Sequence, residues 1–117
     1  MNNKTFRALE YPLEAYANKA VVNCTFTIQY SDLKAYDFSD ATGYFLSIYD
    51  RRGGILIKRW TDQAGLNVTD NVITWNERNQ AVMNMSLGKY YYELGYTVVD
   101  YATEDEIPLG YGTIKFI

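Results

Sequence analysis

The sequence predicts an all-β fold in which two sheets pack face to face. Side chains from Leu87 to Tyr101 alternate between two sets at every second position, which is typical of a strand with one buried face. Similar short runs recur along the chain and are separated by Gly, Asn and Asp, the residues that favour turns. No segment shows the period of a long helix, so we expect seven to nine short strands in a single domain spanning residues 1–117.

The stretch from Leu87 to Tyr101 is predicted to be the central strand of this sandwich. Tyr90, Tyr92 and Leu94 fall on one side of an extended chain and are expected in the core. Tyr91 falls on the opposite side, where the core cannot account for it. We therefore expect Tyr91 to contact another chain.

The first part of the chain predicts two strands and a connection. A strand within residues 4–16 contains Pro12, and proline cannot donate to a sheet ladder, so this strand should lie at an edge or switch between sheets. Residues 20–30 alternate most clearly, with Cys24 on the core side. The polar connection 31–42 is compatible with one helical turn or with a packed loop crossing the end of the sandwich.

The remaining elements follow from turn residues and alternation. Residues 43–50 predict a strand, and the segment from Asp50 to Gly54 predicts a hairpin turn because paired glycines readily adopt positive φ. Further strands are expected at 55–60, 66–68, 72–76 and 109–117, with a loop at 99–108.

Composition excludes several classes of protein. Nearly half of the residues are apolar, which is enough for a buried core, and the net charge of −3 is not concentrated in a basic surface that would bind nucleic acid. No segment resembles an export signal or a membrane span, so we expect folding in the cytoplasm of the host cell and no membrane contact. The single cysteine, Cys24, excludes an intrachain disulfide.

Groups that usually perform catalysis are scarce. The chain has no histidine, which removes the commonest general base and transition-metal ligand, and it lacks the phosphate-binding and nucleophile motifs. The adjacent carboxylates Glu104, Asp105 and Glu106 are better explained as a solvated loop than as a glycosidase pair or a calcium site. We therefore expect no catalytic residue, no cofactor and no bound metal.

Aromatic residues provide the strongest hint of a binding function. Twelve tyrosines suit half-buried strands, and they also suit protein interfaces, because a large apolar ring ends in a hydroxyl. Two tryptophans together with outward tyrosines could instead stack on sugar rings, which would make the chain a carbohydrate-binding module. The candidate contact residues are Tyr91, Tyr101, Tyr111 and Trp60.

The order of these features resembles the immunoglobulin-like domains of tailed-phage virion proteins. The resemblance rests on the strand ending at residues 48–51, the Gly-Gly hairpin, the run 72–75, the run 87–94 (LGKYYYEL) and the closing run 109–114 (LGYGTI). The chain is similar to the N-terminal domain of phage baseplate upper proteins, in which a Leu-x-Gly-x-Tyr-x-Tyr strand start is typical.

This resemblance implies an immunoglobulin-like β-sandwich that serves as a virion building block. Such domains dock on a capsid or tail platform and on each other, so the expected partners are other virion proteins and further copies of this chain. The sequence shows no stalk or receptor-binding region after the last strand, so we expect a decoration protein of the phage head. A baseplate or tail adaptor is the alternative.

Overall fold

The computed structural model describes residues 9–10, 12–15, 21–78, 88–100 and 102–116, and every regular element within them is a strand. These strands are β1 (Leu9–Glu10), β2 (Leu13–Ala15), β3 (Val21–Thr27), β4 (Gly43–Tyr49), β5 (Leu56–Thr61), β6 (Leu66–Thr69), β7 (Val72–Arg78), β8 (Gly88–Asp100) and β9 (Thr103–Phe116). Within this part of the chain, no helix is long and apolar enough to cross a membrane.

The strands form two sheets in the order of an immunoglobulin fold. The larger sheet runs β1-β9-β8-β4-β5, with β2 also paired to β9, and the smaller sheet runs β3-β7-β6. The central strands of the larger sheet match the G-F-C-C′ order of that fold, and the smaller sheet matches B-E-D. The predicted immunoglobulin-like sandwich is therefore confirmed.

The pairing of the first two strands departs from a fully antiparallel sandwich. Both β1 and β2 lie parallel to β9, with Leu9 opposite Gly110 and Leu13 opposite Ile114. Pro12 separates the two short strands at the edge of the larger sheet, as expected for a residue without a backbone donor. The rest of the predicted strand 4–16 lies outside the described residues.

The core fills the space between the sheets and contains both tryptophans. Their ring centroids lie 4.9 Å apart, with Trp60 from the larger sheet and Trp75 from the smaller one. Tyr92 and Leu94 are each only 1% exposed, and Tyr90 is half-buried with its ring 5.5 Å from that of Phe116. The core side predicted for β8 is thus correct.

The connection between β3 and β4 is a loop packed across one end of the sandwich. Tyr36 lies at its centre, with its ring 4.8 Å from that of Tyr30 and 4.7 Å from that of Phe38. Its hydroxyl shares a 2.8 Å hydrogen bond with the hydroxyl of Tyr96. Aromatic packing therefore fixes this loop, and of the two alternatives for 31–42 the packed loop is correct.

The hairpin of β8 and β9 corrects the prediction of a loop at 99–108. Pairing continues from Leu94 opposite Gly110 to Asp100 opposite Thr103, so residues 103–108 belong to a strand. The register shifts between Leu94 and Gly95, which leaves Leu109 as the extra residue of a β-bulge. Charge density favoured a loop in the sequence, whereas long-range backbone pairing decides the structure.

Candidate functional site

Three tyrosines lie together on the outer face of the larger sheet. Tyr49 of β4 is directly opposite Tyr91 of β8, and Tyr111 of β9 is opposite Glu93, one position along the same face. The Tyr91 ring centroid is 6.3 Å from that of Tyr49 and 6.3 Å from that of Tyr111. Because Tyr92 is buried, strand alternation directs Tyr91 away from the core. We call these three residues, with Arg52 and Glu93, the tyrosine face.

Arg52 covers one end of the tyrosine face. Its guanidinium carbon is 5.8 Å from the Tyr91 ring centroid and 5.4 Å from that of Tyr111, within the range of a cation–π contact. The hairpin holds it there. Asp50 Oδ1 accepts a 2.7 Å hydrogen bond from the backbone N–H of Ile55, and Gly53 adopts a φ of 74° that permits the tight turn.

Arg59 covers the neighbouring part of the outer face of the same sheet. Its Nε donates a 2.7 Å hydrogen bond to Ser47 Oγ, and its Nη1 lies 2.9 Å from Glu106 Oε2. The guanidinium also stacks over Phe45, 4.5 Å from the ring centroid, and leaves Phe45 only 6% exposed. Burial alone would lower the Arg59 pKa, but the hydrogen bond to Glu106 and its negative charge, with a hydrogen bond that Arg59 donates to the Tyr49 oxygen, raise it overall.

The contrast between these two parts of the sheet defines the accessible surface. Phe45 and Ser47 are buried beneath Arg59, whereas Tyr49, Tyr91 and Tyr111 keep part of their surface exposed to solvent. Tyr49, Arg52, Gly53, Tyr91 and Glu93 line a shallow concavity of about 350 Å³. This surface is aromatic with one cation and one carboxylate. That chemistry suits protein contacts rather than bond-breaking.

The structure brings together two of the four predicted contact residues. Tyr91 and Tyr111 are neighbours on the tyrosine face. The prediction for Trp60 is wrong, because its pairing with Leu46 points the indole inward, where it is 1% exposed. Tyr101 lies outside the described residues.

Tyr49 and Arg52 were missed by the sequence reasoning. Alternation in β4 does contain a signal for Tyr49, since Leu46 and Ile48 fall on one side of an extended chain and Tyr49 falls on the other. Arg52 had no such signal, because its position depends on how the hairpin folds back over β8 and β9.

The carboxylates at 104–106 do not form a converging pair. Consecutive residues of β9 point to opposite sides of the hairpin, so Asp105 faces away from Glu104 and Glu106. Glu106 is engaged by Arg59. Among the described residues, no group of three or more His, Cys, Asp or Glu side chains is arranged to hold a metal ion.

Cys24 lies beside a cavity between the two sheets. The cavity measures about 570 Å³, and its lining includes Leu13, Phe26, Tyr92 and Leu94. Burial raises the pKa of the Cys24 thiol, so less of it is in the reactive thiolate form at neutral pH. This environment is typical of a structural cysteine.

No protein-family model matches this chain. No curated protein matches it in sequence either.

Proposed function

We propose that this chain is a non-catalytic structural subunit of a phage virion, and that it docks onto other virion proteins through the tyrosine face. A place on the phage head as a decoration protein is the preferred form of this proposal, and a baseplate or tail adaptor is the alternative. The support for a virion comes from the sequence resemblance. The support for docking comes from the geometry of the sheet.

The carrying observation is the cluster of Tyr49, Tyr91 and Tyr111 on the outer face. Each ring contacts a neighbouring ring, and Arg52 also lies over Tyr91 and Tyr111, so their conformational freedom is already reduced before a partner arrives. Tyrosine and arginine are the residues most enriched where single side chains dominate binding energy. A pre-ordered cluster of both is therefore well suited to a protein interface.

A carbohydrate-binding module is less well supported. Sugar platforms need exposed coplanar aromatic rings, yet Trp60 and Trp75 are each 1% exposed and lie in the core. The tyrosine rings do not make a flat platform either, because Tyr91 is inclined by 48° to Tyr49 and by 43° to Tyr111.

Two measurements test the proposal. Mass spectrometry of particles purified from the phage that encodes this chain should detect it as a stoichiometric component. Particles assembled without the chain should bind the added protein in a co-sedimentation assay. Replacing Tyr91 or Tyr111 with Ala should weaken that binding at least about tenfold each, since about 1.4 kcal/mol corresponds to a factor of ten.

Leu33→Ala is the matched control. Leu33 is a large apolar residue that is 75% exposed, and it lies on the loop between β3 and β4, away from the tyrosine face. Its truncation should leave binding unchanged. Absence of the chain from purified particles would refute the virion role. If particles bind the chain but the two tyrosine variants bind as tightly as the Leu33 control, docking does not use the tyrosine face.

A further inference from the structure

Positive charge is concentrated at one end of the larger sheet. Lys89, near the start of β8, lies directly opposite Lys115 of β9, and both side chains are exposed. Lys89 lines a pocket of about 260 Å³ together with Arg51 and Arg52 of the neighbouring hairpin. Like charges directly opposite each other weaken strand pairing, so the Lys89–Lys115 pair by itself does not stabilise the sheet. We call these four residues the basic end.

Asp50, a carboxylate beside the basic end, is already engaged in its own hairpin. Asp50 Oδ1 accepts a hydrogen bond from the Ile55 N–H, and its Oδ2 lies 3.6 Å from Arg51 Nη1. Glu14 of β2 is the register partner of Lys115 on the other side of β9, so this end carries four cations and two carboxylates, Glu14 and Asp50. This end therefore keeps an excess of positive charge, although the chain as a whole has a net charge of −3.

The opposite end of the sandwich is acidic. Glu104 and Asp105 are exposed near the tip of the β8–β9 hairpin, and Glu106 pairs with Thr97. Loops bring Asp40 and Asp62 to the same end. Asp62 Oδ1 accepts a 3.0 Å hydrogen bond from the Tyr44 N–H. Burial raises the pKa of the Tyr44 phenol, and the negative charges of Asp62 and Asp40 raise it further. These five carboxylates are the acidic end.

The shapes of the two ends are complementary as well. The pairing of β4 with β8 ends at Gly43, which lies opposite Thr97. Beyond Thr97, β8 pairs with β9 alone among the described strands. The acidic end therefore projects as a narrow two-stranded tip. The basic end is concave, because the Arg51–Arg52 hairpin and the Lys89 strand form the two walls of its pocket.

We propose that copies of this chain associate head to tail, with the acidic tip of one copy seated in the basic end of the next. Both halves of the contact are present on one molecule, and they lie at opposite ends, so a single copy cannot satisfy its own contact. A heterologous contact of this kind continues from copy to copy, and it produces a ring or a filament. The basic end shares Arg52 with the tyrosine face, and Tyr91 also lines its pocket. The inference is nevertheless tested independently of the proposed function, because it needs no second kind of protein and uses the purified chain alone.

The test is the mass of the purified chain, measured by sedimentation velocity and by light scattering after gel filtration. At about 10 mM salt, where charges interact over about 30 Å, the mass should be at least twice the 13.5 kDa of one chain. At about 1 M salt, where the screening length is about 3 Å, it should return to that of one chain. A single-chain mass at low salt, or a mass independent of salt, would overturn the proposal.

Charge exchange identifies the contact. Lys89→Glu with Lys115→Glu keeps a like-charge pair in the sheet while replacing two of the four cations of the basic end with carboxylates. Glu104→Lys with Asp105→Lys reverses the tip. Each variant alone should have the single-chain mass at low salt, and an equimolar mixture should regain the higher mass, because every contact then joins opposite charges.

A matched control separates this contact from a general effect of net charge. Thr25→Glu with Thr27→Glu adds negative charge on exposed positions of β3, in the smaller sheet, and should leave self-association at low salt unchanged. If either end-reversed variant associates like the natural chain, or if their mixture does not regain mass, the head-to-tail contact is refuted. Circular dichroism of each variant establishes that it is folded.

Discussion

Replacing Gly95 with Ala should be one of the most destabilising single-methyl additions in this protein. Gly95 lies in β8 where the register shifts beside the bulge at Leu109. An added Cβ would be 2.5 Å from the backbone oxygen of Ile107 and 2.6 Å from Cζ of Phe45. One obstacle is backbone within a paired strand, and the other is a ring that is only 6% exposed. Neither can move freely.

The size of the effect follows from these contacts. Real Cβ atoms essentially never approach another heavy atom within 3.0 Å, so both obstacles must shift by about half an ångström. Such overpacking destabilises the folded state by about 1–3 kcal/mol. The lower conformational entropy of the unfolded chain with Ala in place of Gly offsets about 0.4–1 kcal/mol of that loss. We place Gly95→Ala at about 2 kcal/mol of lost unfolding free energy, because the backbone obstacle favours the upper part of that range.

Urea denaturation followed by tryptophan fluorescence measures this loss. With a slope of about 1–3 kcal/mol per molar urea, the midpoint should fall by about 1 M. Gly53→Ala is the control, since an added Cβ there has no neighbour within 4 Å and meets only the strain of a φ of 74°. That strain costs about 1 kcal/mol. If Gly95→Ala loses no more stability than Gly53→Ala, the tight packing inferred at the bulge is incorrect.

Four further substitutions test the core and the part of the sheet that Arg59 covers. Burial and the hydrogen bond to Tyr36 raise the pKa of Tyr96, so the folded state holds the phenol proton more tightly than the unfolded state does. The resulting contribution to folding stability is complete below about pH 10 and is lost as the pH rises further. This loss should be absent from the pH dependence of unfolding in Tyr96→Phe. Arg59→Lys should lower the unfolding free energy in urea by about 1–2 kcal/mol, because it removes the planar guanidinium that bonds Ser47 and stacks on Phe45. Glu106→Gln should lower it by less than about 1 kcal/mol, because the ion pair between Arg59 and Glu106 is half-exposed. Trp75→Phe should lower the unfolding free energy by less than about 2 kcal/mol in the same assay. Trp75 Nε1 is buried and has no hydrogen-bond partner among the described residues, so removing this donor offsets part of the stability lost with the larger ring.

Local alternation made much of the fold predictable. The faces of β8 follow from the alternation of Tyr90, Tyr91 and Tyr92, and the hairpin after β4 follows from its paired glycines. Both depend on interactions within a few residues of sequence. That is why many core residues and two of the five residues of the tyrosine face, Tyr91 and Tyr111, could be identified without coordinates.

Features decided by distant pairing could not be predicted in the same way. The parallel alignment of β1 and β2 on β9 depends on the two ends of the chain meeting. The burial of Trp60 depends on the register between β4 and β5, which shifts by one residue after Ile48. The position of Arg52 over Tyr91 requires strands from three parts of the sequence.

The tyrosine run in β8 is ambiguous by itself, and the residues that follow it decide which ring faces outward. Because Tyr90, Tyr91 and Tyr92 are identical, a shift of one residue would still bury tyrosine. The same shift would also drive Glu93 into the core in place of Leu94, and an unpaired buried carboxylate is far more costly than any gain from the rings. Glu93 and Leu94 therefore fix the register. The fold requires Tyr92 inside and Tyr91 on the outer face, where its ring contacts Tyr49, Tyr111 and Arg52.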